Sequence, residues 1–234
     1  MSAGELGSLD HSFGLDGPRT ARVMFTAAAD GDLAVGRPGP ALEARRRRLV
    51  PYPWSWLHQV HGATVVTVTE PGGCAGAEAD AAVTRVPGAV LAVHTADCAP
   101  LALVADEGVV GAVHVGWRGL VAGVIDRAVE RMHELGAGQV RAVVGPCIHA
   151  GCYEFGADDL AQVVARCGET ARGITSDGRP ALDVPAAVRA TLGAKGVELV
   201  ADHPPCTACD PSFFSHRARG DTARQAMLVW MEER

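Results

Sequence analysis

An α/β fold is predicted for this 234-residue chain by three observations. Short apolar runs recur between Gly and Pro residues, amphipathic segments of helical period lie among them, and no internal repeat or linker divides the chain. The composition, 48% hydrophobic and 21% charged, is that of a globular protein, and the length suits one large domain.

Residues 1–20 hold Gly4, Gly7, Gly14, Gly17 and Pro18 with little apolar pattern, so they read as a flexible leader and the domain is expected to span residues 21–234. The runs Val23–Thr26, Trp54–Val60, Thr64–Val68, Ala81–Thr84, Val90–Thr95 and Leu101–Ala105 read as strands. Val109–Val115 follows across Asp106, Glu107 and Gly108, a link short enough for a hairpin. Leu120–Leu135 carries apolar residues at 121, 124, 125, 128, 132 and 135 and is followed by Gly136, which predicts an amphipathic helix with a glycine stop. Further helices are expected at Ala41–Leu49, Ala157–Cys167 and Val184–Leu192, the last with Asp183 as N-cap and Gly193 as stop. Strands at Ala142–Val144, Glu198–Val200 and Ala226–Met231 complete the pattern. The basic run Arg45–Arg48 reads as a solvated helix face.

The 21 basic and 27 acidic residues give a net charge of −6, which disfavours non-specific nucleic-acid binding and points to a small-molecule partner. Met1–Asp16 lacks the basic start and apolar run of a secretory signal. The richest apolar region is broken by Asp97, His114 and Arg118 before it reaches the roughly 18 residues of a membrane span, so no membrane segment is predicted. A cytoplasmic protein is expected, and in that reducing compartment its seven cysteines are buried, catalytic or metal-bound more often than paired.

Polar residues concentrate where three apolar runs end: His58-Gln59-Val60-His61-Gly62, Thr95-Ala96-Asp97-Cys98-Ala99-Pro100 and His114-Val115-Gly116-Trp117-Arg118-Gly119. A thiolate and two imidazoles form a borderline-soft ligand set that suits Zn2+, and three protein ligands leave a fourth position open, as in catalytic zinc sites. The separations match no short zinc motif, and taken singly each of these residues reads better as a satisfied core histidine or a buried cysteine than as a ligand. Cys206-Thr207-Ala208-Cys209 has the spacing of half a zinc knuckle, but Cys147 and Cys152 lack the two-residue gap that would complete it.

The strings QVHG, ADAAVT, TADC, HVGWRGL, GPCI, CYEFG and FFSHR occur in the order typical of the laccase-domain family, also called the polyphenol oxidase or peptidoglycan-editing-factor family. The chain resembles that family from about Val23 to Met231. The resemblance implies a layered sandwich, two central mixed β-sheets flanked by helices. It also implies one catalytic Zn2+ held by His61, Cys98 and His114, with Cu2+ as the alternative ion. Asp97 becomes a candidate acid/base or orienting group, and Arg118, expected just before the Leu120 helix, a candidate phosphate ligand. Arg217 of FFSHR becomes a candidate substrate-binding residue. His94, His149, His203 and His216 take no ligand role, although His94 precedes TADC on its strand and is expected to face the pocket. The chain departs from the family where Ala28–Leu33 replaces a Gly-Val-Ser and Ser-Leu-Asn-Leu stretch, and where Ala44–Arg48 lacks an Asn.

The activity implied is that of a purine nucleoside enzyme, combining phosphorolysis of adenosine, inosine and methylthioadenosine with adenosine deamination. Its rivals are an amidase removing L-serine from cell-wall precursors, a copper polyphenol oxidase and a non-enzymatic metal-binding module. The oxidase needs a weak axial thioether, and none of Met1, Met24, Met132, Met227 and Met231 adjoins a ligand string.

Overall fold

The computed structural model describes residues 9–36, 38–201 and 204–233. In chain order the elements are β1 (Leu9–Gly14), β2 (Arg19–Phe25), α1 (Pro40–Leu49), β3 (Trp54–His58), β4 (Val65–Val68), β5 (Ala77–Glu78), β6 (Ala81–Thr84), β7 (Val90–Thr95), β8 (Ala99–Ala105) and β9 (Val109–Val115). They continue as α2 (Trp117–Ala122), α3 (Val124–Glu134), β10 (Val140–Val144), α4 (Ala157–Cys167), β11 (Arg172–Ile174), β12 (Pro180–Leu182), α5 (Val184–Ala194), β13 (Glu198–Ala201), α6 (His216–Arg219) and β14 (Gln225–Glu233).

Two six-stranded sheets result, in the orders β1-β2-β14-β7-β3-β5 and β13-β10-β8-β9-β6-β4. Both are mixed: β3 runs parallel to β7 and β4 to β6, whereas β8 and β9 form the expected antiparallel hairpin. The central strands are near-continuous apolar runs because both of their faces are covered. On β8, Leu101 and Leu103 turn to the helices while Ala102 and Val104 turn to the other sheet. On β7, Leu91 and Val93 enter the same inter-sheet layer, and Val90 and Ala92 pack outward with Leu42 of α1. The layers are therefore α1, first sheet, second sheet, and α2–α5, which is the flanked sandwich the resemblance implied. None of the described helices is long and apolar enough to cross a membrane.

Four local expectations are corrected. The flexible leader is not loose over its described part: β1 pairs with β2 from Leu9↔Phe25 to Gly14↔Thr20, while residues 1–8 lie outside the described residues. The alternation of Leu9, His11 and Phe13 was its signal, and the surrounding Gly and Pro residues, which close the β1–β2 turn, masked it. The Leu120–Leu135 helix is two helices, since Gly123 adopts φ 83 and ψ 36, a left-handed conformation that caps α2 and starts α3. Asp183 does cap α5, accepting from the Ala186 N–H at 2.9 Å, but Gly193 lies inside that helix. The Arg45–Arg48 run is not a uniformly solvated face. Arg46 is buried, with its guanidinium 5.5 Å from the ring centroids of both Trp54 and Trp56 and 2.9 Å from Glu43 Oε1. Two tryptophans at a spacing of two residues share one face of β3, and a delocalised cation packs between them.

Candidate metal centre and its cleft

His61, Cys98 and His114 arrive from a turn, a crossing between the sheets and the end of a strand. His61 sits in the turn after β3, with φ 60. Cys98 lies in the passage from β7 in the first sheet to β8 in the second, next to Asp97 at φ 102. His114 is the penultimate residue of β9. Such left-handed conformations are strained for non-glycine residues and persist where the surrounding structure enforces them.

The donor atoms of the three residues lie within 4.8 Å of one another. Cys98 Sγ is 3.8 Å from His61 Nε2, and the two imidazole rings meet edge to face with centroids 4.8 Å apart. A Cβ on Gly116 would stand 2.6 Å from His61 Cδ2 and 3.5 Å from Cys98 Sγ, so only glycine leaves the group room to converge. Two nitrogens and a sulfur at this spacing fit a tetrahedral ion with metal–ligand bonds of about 2.0–2.3 Å.

The electrostatics follow from the packing. Burial works against charge on Cys98 and His114, but each offsets it for the other, with Asp80 also favouring the imidazolium and His61 the thiolate. The thiol is held down at about 6 and the imidazole lifted to about 9. His114 Nδ1 donates to Asp80 Oδ1 at 2.8 Å, which leaves Nε2 for a metal.

These residues line a cleft of about 690 Å³. Its floor includes His94, which is 6% exposed and has no hydrogen-bond partner at either ring nitrogen among the described residues. Burial, with the Arg46 and His114 charges, presses that ring down to about 3, so it is neutral at physiological pH. At the rim Arg118 lies 4.5 Å over the Trp117 ring and Arg217 lies 4.9 Å over the Tyr153 ring, both exposed. Arg118 is inside α2 rather than ahead of a long helix, and a helix of only six residues adds little dipole.

The model of the family described as multi-copper polyphenol oxidoreductase laccase matches residues 34–232. The chain belongs to this family. It is 42% identical over 224 residues to a purine nucleoside phosphorylase of Streptomyces griseus, covering 88% of this chain and 90% of that one. A purine nucleoside phosphorylase of Mycobacterium tuberculosis is 42% identical over 182 residues, 76% of this chain and 72% of the other. Among solved structures, a Neisseria meningitidis protein superposes with TM-score 0.83 at 28% identity, covering 97% of this chain and 100% of that one. YlmD from Geobacillus stearothermophilus superposes with TM-score 0.82 at 26% identity, over 96% and 100% of the two chains.

Within this laccase-family cleft Asp97 is spent on internal bonds. Its Oδ1 accepts from Thr207 Oγ1 at 2.7 Å and Ser215 Oγ at 2.6 Å, and its Oδ2 accepts from the Arg217 N–H at 2.7 Å. These bonds tie the Cys98 passage to the Thr207–Arg217 segment and set where Arg217 starts from its backbone. His216 lines the cleft and His149 does not, while His203 lies outside the described residues.

One functional residue escaped the sequence reading. Asp80 is completely buried, and besides His114 it accepts the N–H groups of His61 at 2.9 Å, Gly62 at 2.7 Å and Val60 at 3.3 Å. Burial raises its carboxyl, but the His114 and Gly62 hydrogen bonds outweigh that and hold it below the usual range. It fixes two of the three candidate ligands at once. Its signal was a lone acid at the head of the wholly apolar run Ala81–Val83.

Proposed function

We propose that this laccase-family chain is a zinc-dependent purine nucleoside phosphorylase, acting on adenosine, inosine and methylthioadenosine, and that it also deaminates adenosine. The observation that carries the proposal is the meeting, in one cleft, of the His61, Cys98 and His114 set with two rim guanidiniums and the unpartnered His94 ring. Relatives named purine nucleoside phosphorylase at 42% identity support it.

Phosphorolysis forms a bond from a phosphate oxygen to the anomeric carbon and breaks the bond from that carbon to the purine nitrogen. The chain's part is to bring phosphate to the sugar, and Arg118 and Arg217 suit this because guanidiniums match phosphate oxygens bidentately. Their stacking on Trp117 and Tyr153 restricts both side chains before the anion arrives. His94, neutral, offers one donor and one acceptor to the nucleoside. Asp80 keeps the proton of His114 on Nδ1. Zinc held by His61, Cys98 and His114 would supply a Lewis acid able to lower the pKa of a water molecule to about 7, which is what deamination requires. Asp97 we assign to positioning the Arg217 segment rather than to proton transfer, since both of its oxygens are already occupied. A copper oxidase reading lacks its axial thioether, as no methionine lines the cleft among the described residues.

Zinc-loaded protein is expected to convert inosine and phosphate to hypoxanthine and ribose phosphate, and adenosine to inosine without phosphate. A strong chelator abolishes both reactions and zinc restores them. Recovery with copper only transfers the site to oxidase chemistry. Turnover only of an L-serine-bearing cell-wall precursor transfers it to amide hydrolysis, and full activity in metal-free protein removes the ion from the mechanism. Arg118→Ala is expected to raise the KM for phosphate about tenfold or more, the loss of a charged hydrogen bond worth about 1.5–3 kcal/mol, and to leave deamination nearly unchanged. Equal losses in both reactions identify Arg118 as a structural residue.

A further inference from the structure

Outside the cleft the fold gathers a second group of soft ligands. Cys152 closes the short turn Ala150–Cys152 after β10, and Cys206 and Cys209 flank a tight turn before α6. That turn is closed by the Cys209 and Asp210 N–H groups, which both donate to the Cys206 carbonyl, at 3.1 and 2.9 Å. The three sulfurs lie within 4.8 Å of one another, and Cys152 Sγ is 3.3 Å from Cys209 Sγ.

We infer that Cys152, Cys206 and Cys209 bind a zinc ion that clips together two walls of the cleft, separately from the His61, Cys98 and His114 centre. Three thiolates around a tetrahedral ion at about 2.3 Å stand about 3.8 Å apart, inside the spread of sulfur separations the fold sets. The gap the spacing left open is filled by one cysteine delivered from 57 residues upstream of Cys209, not by a second pair. Cys147 is completely buried, meets Cys206 through an isolated backbone bridge and lies outside the group of three converging sulfurs. Cys209 is exposed, so the fourth coordination position faces solvent and takes water.

All seven cysteines are free, and 3.3 Å is far from the 2.05 Å of a disulfide.

The position gives the ion a structural task. Cys152 precedes Tyr153, which carries Arg217 on its ring, and Cys206 precedes Thr207, which is bonded to Asp97. An ion across these segments fixes the Arg217 side of the cleft.

Footprinting by alkylation tests this on the full chain. Protein is stripped of metal under reductant, given zero, one or two equivalents of Zn2+ and treated with iodoacetamide, and each cysteine is followed by mass spectrometry. Zinc is expected to suppress labelling of Cys152, Cys206 and Cys209 together, while the exposed Cys74 stays reactive as internal control. In parallel, elemental analysis should find about one zinc fewer per chain in Cys209→Ser than in wild type, with an unchanged circular dichroism spectrum. Three sulfurs that label at the same rate with and without zinc overturn the proposal. So does a Cys152–Cys209 disulfide in protein kept reduced, or a Cys209→Ser protein with the full wild-type metal content.

Discussion

Asp80→Ala is expected to lower zinc affinity at the His61, Cys98 and His114 centre by about 10–100-fold, the usual effect of removing a partner that orients a ligand, and to destabilise the fold by about 3–5 kcal/mol. Two ligands depend on this one carboxylate: His114 loses the acceptor that fixes its Nδ1 proton, and the His61 turn loses the acceptor of its three N–H groups. Those donors sit around a fully buried side chain, where each group left without a partner costs about 1–3 kcal/mol unless water enters. Asp80→Asn separates the two roles, since it keeps the volume and one acceptor oxygen but turns an N–H donor toward donors. It should fold better than the alanine variant and still bind zinc less well than wild type. The carboxyl is held below its ordinary range, so its stabilisation is present above the unfolded pKa of about 3.9 and is lost as pH falls through the lower folded value. Urea melts across pH, with zinc competition against a chelating dye, measure both effects. Wild-type zinc affinity in Asp80→Ala would end the orienting role.

The elements legible in the sequence were those whose pattern is local. Strands β7, β8 and β9 read as unbroken apolar runs because helices or sheets cover both faces, and α4 matched its expected bounds, Ala157–Cys167. Asp183 announced α5 by capping it. β1 was lost because a six-residue edge strand next to glycines offers only three alternating side chains. Arg46 was misread because its burial depends on Trp54 and Trp56, which arrive from another element. Polar residues at strand ends pointed to the cleft, but the convergence of His61, Cys98 and His114 depends on the chain crossing between sheets at Ala96–Cys98. No window of sequence contains that event. Asp80 was missed for the same reason, and Cys152 was weighed only as a pair with Cys147, because each acts on residues 18 or more positions away.

His94→Phe is expected to stabilise the protein while impairing nucleoside binding, two effects of opposite sign from one substitution. The ring is 6% exposed and neither nitrogen finds a partner among the described residues, so the folded state carries a polar group whose desolvation nothing within the protein offsets. Phenylalanine keeps a planar ring and removes that cost, which is about 1–3 kcal/mol. The gain should widen on acidification: the unfolded imidazole takes up a proton near pH 6.5, whereas the folded one resists until about 3, so wild-type stability falls with pH in that window and the variant's does not. A buried donor and acceptor retained without internal partners are available to substrate, and their loss should raise the nucleoside KM about tenfold, roughly 1.4 kcal/mol, with the KM for phosphate unchanged. Stability trades against function at such positions. Thermal melts at pH 5 and pH 8, together with steady-state kinetics on inosine, give both readings. A variant that is less stable than wild type at both pH values and keeps the wild-type nucleoside KM would make His94 a packing residue of the cleft floor and nothing more.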